Sequence, residues 1–213
     1  MKVILAGNGK FAKDINKYFL KSKIEVLNIE KLDGTKKVIA DFIVYAGSER
    51  NLNKAQTISK KNRIPIILLS TNFSIDNINS CIYKTVNSSF ELKSFINSCL
   101  SFYNTNQVKL MSIIESHQKE KKDVSGTAKL LCDQMKSSHK LIKSVRNPDK
   151  QLALGIPKKY LTSHAYHKVI FKQGSDNFTF EIMILGKKTY IRGILKIIDS
   201  IKNKRYKIGI FNV

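Results

Sequence analysis

The opening residues constrain this chain most. Lys2-Val-Ile-Leu-Ala is a short apolar run, Gly7-Asn8-Gly9-Lys10-Phe11-Ala12 follows at once, and Phe11, Ile15, Tyr18 and Phe19 then recur at the spacing of one helical face. Strand, glycine turn and helix in that order commit the chain to begin as a βα unit. A second predicted strand, Ile24 to Ile29, closes on Glu30, about 20 residues past the glycines, where an acidic partner for ribose hydroxyls is expected. The glycines would let a pyrophosphate approach the N–H groups at the positive end of the helix. Gly-x-Gly-x-x-Ala alone equally describes a tight turn with close helix packing. Strand, helix and Glu30 together favour a dinucleotide, with Gly7, Asn8, Gly9, Lys10, Phe11, Ala12, Glu30 and Lys31 as contacts. Glu30 would repel a 2′-phosphate and Lys31 would attract one, so NADH and NADPH both stay open.

The alternation continues. Strands are predicted at Val38 to Tyr45, Ile64 to Ser70 and Ile78 to Tyr83, with helices at Asn51 to Asn62 and Phe90 to Tyr103. Such spacing implies right-handed crossovers and a parallel sheet. From Val108 the pattern changes: a β-like run reaches Glu115, Ser125-Gly126-Thr127 opens a helix through Met135, and Lys168 to Phe171 and Phe178 to Ile184 read as strands. Those strands lack short βα spacing and suggest a mixed or antiparallel sheet. Ser137 to Tyr166, with two of the three Pro and no firm periodicity, reads as a long loop, ordered or semi-mobile. Tyr190 to Ile201 is a strong amphipathic helix. The expectation is α/β: a Rossmann-like nucleotide-binding domain over 1–87, rejoined by 188–213, and an α+β domain with a mixed sheet over 88–187.

Composition removes other classes. At 213 residues and 42% hydrophobic, the chain can bury a core and is neither collagen-like nor disordered. Its longest apolar runs fall far short of the roughly 20 residues of a membrane span. No signal peptide is read at Met1 to Ala6, so a cytoplasmic protein away from membranes is expected. Cys81, Cys99 and Cys132 are odd in number and far apart, giving neither a disulfide framework nor a thiolate metal site. The net charge of +22 invites a nucleic-acid reading, but it comes from 33 Lys against five Arg, scattered along the chain. Phosphate clamps and base readers favour Arg forks, so a solvated face of the kind an A- and T-rich genome encodes is preferred, with no specific nucleic-acid partner.

The densest chemistry lies in Glu115-Ser-His117-Gln118-Lys119-Glu120-Lys121-Lys122-Asp123-Val124-Ser125-Gly126-Thr127-Ala128. A His closing a strand can donate a proton, a Lys nearby can stabilise developing charge, and the free N–H groups of a helix start can hold a carboxylate. This block resembles the signature E-x-H-H-x-x-K-x-D-A-P-S-G-T-A of the dihydrodipicolinate reductase family. Elsewhere, Gly7 to Ala12 is similar to that family's nucleotide loop, and Leu69-Ser70-Thr71 occupies the place of its G-T-T turn. Asn87-Ser88-Ser89 matches N-F-S, Tyr166 to Phe171 is similar to G-x-H-x-V-x-F, and Lys187 to Lys196 resembles the entry to its closing helix.

The resemblance implies a reductase that passes hydride from NADH or NADPH to a cyclic dicarboxylate imine on the route to lysine and diaminopimelate. It implies catalytic His117 and Lys121, and substrate contacts at Gln118, Ser125, Gly126 and Thr127. Leu69, Ser70, Thr71 and Asn87 would join the cofactor contacts, with no metal. It also implies that 88–187 binds substrate and assembles a homo-oligomer, usually a tetramer; His164 and His167 are assigned structural roles near a subunit surface. The chain departs from the pattern at Gln118, where the family has a second His, and in the Pro missing between Val124 and Ser125. Those departures motivate a rival, a weakened homologue kept for nucleotide binding or scaffolding; a basic nucleic-acid-associated protein is a second.

Overall fold

The computed structural model describes residues 1–34, 36–69, 75, 78–85 and 87–213. In chain order these form β1 (Lys2–Ala6), α1 (Lys10–Lys21), β2 (Glu25–Asn28), β3 (Phe42–Tyr45), α2 (Leu52–Asn62), β4 (Ile66–Leu68), β5 (Cys81–Lys84) and α3 (Phe90–Thr105). There follow β6 (Lys109–His117), α4 (Gly126–Gln134), β7 (Ile142–Val145), α5 (Pro148–Ala153), β8 (His164–Gln173), β9 (Asp176–Leu185), α6 (Lys188–Ile201) and β10 (Gly209–Asn212). The chain divides into two compact units, Met1–Ser88 with Tyr190–Val213, and Ser89–Thr189.

The first unit is built on a six-stranded parallel sheet in the order β10-β5-β4-β3-β1-β2. β1, β3 and β4 are buried along nearly their whole length, which is why they read as continuous apolar runs. Val3, Leu5, Val44 and Ile67 pack with Ile15 and Phe19 of α1 and with Ile194, Ile197 and Ile198 of α6. Ile4, Ile43 and Ile66 pack with Leu52, Ala55 and Ile58 of α2. After β2 at the edge, the chain crosses to β3 on the other side of β1, so the strand order reverses beside β1. In open α/β sheets the crevice at such a reversal, past the carboxyl ends of the strands, is where ligands bind. β10 is an edge strand that the sequence pattern does not reveal, because it is short and begins at Gly209, whose φ is +147°.

The second unit holds a four-stranded mixed sheet, β7-β6-β8-β9, with β6 and β7 parallel and the other pairs antiparallel. α3 seats Phe102 against Phe171, Phe178 and Phe180, with ring centroids 5.5, 5.1 and 5.1 Å away. Two expectations are corrected here. The segment 137–166 is largely ordered into β7, α5 and two short 3-10 turns; β7 is short and its middle residues, Lys143 and Ser144, are exposed, so it shows no apolar signature. β8 starts at His164 rather than Lys168, which places His164 and His167 within the strand, both buried.

Candidate active site

At the end of β1, two glycines do different work. Gly7 sits at φ +132°, and a Cβ there would lie 2.5 Å from the carbonyl oxygen of Ala46, so the fold itself requires glycine. Gly9 is the N-cap of α1 with φ −67°, and a Cβ there meets nothing within 4 Å. The fold makes no demand for glycine at position 9. What its missing side chain preserves is open space in front of the first N–H groups of a twelve-residue helix with no acidic residue in its first turn.

Asn8 Nδ2 donates to Glu30 Oε1 at 2.5 Å, tying the turn to the acidic residue. Glu30 lies past the end of β2, in a 3-10 turn that Asn28 caps by accepting the Glu30 N–H at 2.9 Å. Glu30 and Lys31 are exposed, as is Lys10. Ala12 is buried, and Phe11 is half-buried with its ring edge-on to Tyr190 at 6.5 Å, so both side chains serve packing while their N–H groups stand in the first turn of α1. Leu69 follows β4, donates its N–H to Tyr45 at 2.9 Å and packs on the core. Asn87 accepts the Thr85 hydroxyl at its carbonyl, 2.9 Å away. Ser70 and Thr71 lie outside the described residues. A dinucleotide therefore fits the turn: an open helix start for pyrophosphate, and an exposed carboxylate fixed by Asn8.

In the second unit the pleat gathers the chemistry. Residues i and i+2 share a face, and the register sets Glu115 opposite Ser144 on β7 and opposite His167 on β8. Glu115, His117, Ser144, Arg146 and His167 thus meet on one side of the sheet. Glu115 is fully buried and fills both oxygens: Oε1 accepts from Ser144 Oγ at 2.5 Å and Arg146 Nη2 at 2.7 Å, while Oε2 accepts from His117 Nδ1 at 2.7 Å and Arg146 Nη1 at 3.1 Å. Burial alone would raise its pKa, but the hydrogen bonds from His117, Arg146 and Ser144 prevail and hold it at about 2. Since a carboxylate only accepts, His117 carries its proton on Nδ1 and leaves Nε2 for chemistry. Gln151 Nε2 donates to the His117 carbonyl at 2.7 Å, fixing the end of β6.

His167 stands edge-on to His117, ring centroids 5.4 Å apart, and burial, then the positive charge of His117, push its pKa down to about 3. It stays neutral and hydrogen-bonds Ser125 Oγ through Nε2 at 2.8 Å. That bond has a consequence for α4. Ser125 is the N-cap of this helix, yet its side chain caps nothing, because its hydroxyl is turned onto His167. The first N–H groups of α4 are left without the partner a Ser cap normally supplies. Gly126 is equally telling: a Cβ there would meet nothing within 4 Å, so glycine leaves room at a helix start the fold could have filled. Thr127 is the second residue of the same helix. On the opposite face of β6, His164 is held neutral by burial and bonds Ser116 Oγ at 2.9 Å. Both histidines are thus interior groups of this unit.

The sequence reading missed Arg146, Ser144 and Gln151, which lie in the segment taken for a loop, and gave His167 no part in the site. One signal was present. Arg146 is one of only five Arg in a chain that otherwise uses Lys for positive charge. No group of three or more His, Cys, Asp or Glu among the described residues is arranged to hold a metal. None of the described helices is long and apolar enough to cross a membrane.

Fold and site together define a two-unit α/β protein with a nucleotide-binding type of parallel sheet and a mixed sheet that carries a carboxylate-held histidine. Residues 87–213 match the family model for the C-terminus of dihydrodipicolinate reductase. The chain belongs to the dihydrodipicolinate reductase family. It is 36% identical over 91 residues to a probable 4-hydroxy-tetrahydrodipicolinate reductase 1 of Oryza sativa subsp. japonica, chloroplastic, covering 39% of this chain and 26% of that relative. It is 29% identical over 91 residues to 4-hydroxy-tetrahydrodipicolinate reductase 1 of Arabidopsis thaliana, also chloroplastic, covering 39% and 26%. The chain spans about a quarter of the length of these curated relatives. Among solved structures, the dipicolinate-bound dihydrodipicolinate reductase of Paenisporosarcina sp. TG-14 aligns over 100% of this chain and 97% of its own, with TM-score 0.68 and 13% identity, which establishes the shared fold.

Proposed function

We propose that the protein is an NAD(P)H-dependent reductase of dihydrodipicolinate, or its 4-hydroxy-tetrahydro precursor, to tetrahydrodipicolinate, in lysine and diaminopimelate biosynthesis in the cytoplasm. The observation that carries this reading is the pairing of a carboxylate-held His117 with a helix start whose own cap has been turned away. The first suits a proton donor and the second a substrate carboxylate.

In this reading residues 1–87 with 188–213 bind the dinucleotide. The N–H groups at the start of α1 meet the pyrophosphate, and Glu30, steadied by Asn8, takes the ribose hydroxyls. The bound dihydronicotinamide supplies the hydride. In the substrate unit, Gly126, Thr127 and the first turn of α4 hold one carboxylate of the dicarboxylate, with Ser125 shaping that turn and Gln118 as a neutral donor to the substrate. Glu115 stabilises the His117 imidazolium and fixes Nδ1, so Nε2 delivers the proton as charge develops on the substrate. Lys121 offsets that charge and shares the donor role. By family likeness the 88–187 unit also assembles a homo-oligomer, a tetramer.

Purified protein should oxidise NADH or NADPH only in the presence of the enzymatically generated substrate, followed by loss of reduced-nicotinamide absorbance. No substrate-dependent loss with either cofactor refutes the reading. Gln118 in place of a second His favours one rival, a homologue that binds nucleotide without turnover, and calorimetric cofactor binding in an inactive protein would establish it.

A further inference from the structure

Arg146 lies one residue past β7, and every donor it has is used. Nε donates to the Lys121 carbonyl at 2.9 Å; Nη1 donates to Glu115 Oε2 and the Val145 carbonyl, each at 3.1 Å; Nη2 donates to Glu115 Oε1 at 2.7 Å and the Asp123 carbonyl at 3.3 Å. A guanidinium carries five N–H groups, and all five have acceptors here. Neutralising the buried Glu115 needs only the two-pronged fork. The other three donors reach backbone, and two of them grip the turn that carries Lys121. Carbonyls in a surface turn are ordinarily left to water. In this turn they are tied to a group that is itself locked to the strand bearing His117, while the Lys121 N–H closes the turn on the Gln118 carbonyl at 3.0 Å.

We infer that Arg146 is a positioning residue that sets the Lys121 turn in register with His117, gripping the Lys121 and Asp123 carbonyls on one side and Glu115 on the other. This rests on the catalytic reading of His117 and Lys121. Lysine cannot substitute, because its three donors on a point charge cannot serve a planar fork and two turn carbonyls together.

Two variants of the full chain separate these effects. Arg146→Lys keeps the charge and loses the turn: kcat should fall about 10–100-fold, the scale of a small misplacement of a reacting group. Its cofactor KM should stay as in wild type. Arg146→Ala should lower kcat further, with part of the rate restored by added guanidinium ion. Hydrogen exchange at residues 119–123 should rise in both variants while β8 stays protected, a readout that needs no turnover. Wild-type kcat together with unchanged exchange in Arg146→Lys overturns the inference. A wild-type protein without turnover refutes the catalytic reading instead, and exchange then decides alone whether Arg146 holds the turn.

Discussion

Replacing Glu115 by Gln keeps size and shape but converts an acceptor of four hydrogen bonds into a group with one carbonyl oxygen and two N–H donors. Both prongs of Arg146, the His117 Nδ1–H and the Ser144 hydroxyl now compete for that oxygen, and amide N–H faces a cation. The loss can be sized from the carboxylate's own titration. Its pKa moves from an ordinary 4.5 to about 2 on folding. At about 1.4 kcal/mol per pH unit, the ionised form contributes about 3 kcal/mol at neutral pH. Breaking a buried ion pair from one side costs about 3–5 kcal/mol, so the two routes agree. Because the folded pKa is depressed, this stability is complete above 4.5 and disappears as pH falls toward 2, with about 2 kcal/mol gone by pH 3. The assay is urea unfolding read by hydrogen exchange on β6 and β8, which reports this unit by itself. Wild type should exceed Glu115→Gln by about 3 kcal/mol at pH 7, and the gap should narrow steadily below pH 4.5. A gap that stays constant from pH 7 to pH 3, or a variant as stable as wild type at pH 7, refutes the argument.

Gly7→Ala should destabilise the first unit, since its Cβ would press on the Ala46 backbone at 2.5 Å, whereas Gly9→Val should leave melting nearly unchanged and weaken nucleotide binding in calorimetry. His117→Asn and Lys121→Met should each lower kcat about 10²–10⁴-fold with little change in cofactor affinity, and the double variant should lose less than the product of the two. Thr127→Val should mainly raise the substrate KM, by a factor matching a lost charged hydrogen bond of about 1.5–3 kcal/mol. Gln118→His should keep or raise activity; a marked fall in steady-state rate would mean that the pocket is fitted to glutamine.

The inner strands β1, β3 and β4 were legible because burial on both faces leaves continuous apolar runs, and Gly7 could be placed because a sharp turn after a strand has few other solutions. The sequence pattern assigned Gly7 and Gly9 to one motif, but one serves the fold and the other leaves space, a distinction that needs the position of Ala46. The central block showed His117 and Lys121 through their neighbours. It could not show what holds them, since Ser144 and Arg146 come from the edge strand β7 and its end, brought beside Glu115 by register, and Gln151 comes from a short helix without periodicity that reaches the His117 carbonyl. His167 escaped for the same reason: its part depends on standing across from Glu115, which lies far away in the sequence.

On the proposed function, the serine that declines to cap α4 would tie the melting of the second unit to its diet of small anions. A side-chain cap is worth about 0.5–2 kcal/mol, and Ser125 does not supply it to this helix. A dicarboxylate that docks on those N–H groups completes the helix and adds stability in proportion to the logarithm of its excess, about 2.7 kcal/mol at a hundredfold excess over Kd. On the proposed function, the chain would be more exposed to proteolysis without a dicarboxylate than with one, and its lifetime in a cell would follow the supply of that compound.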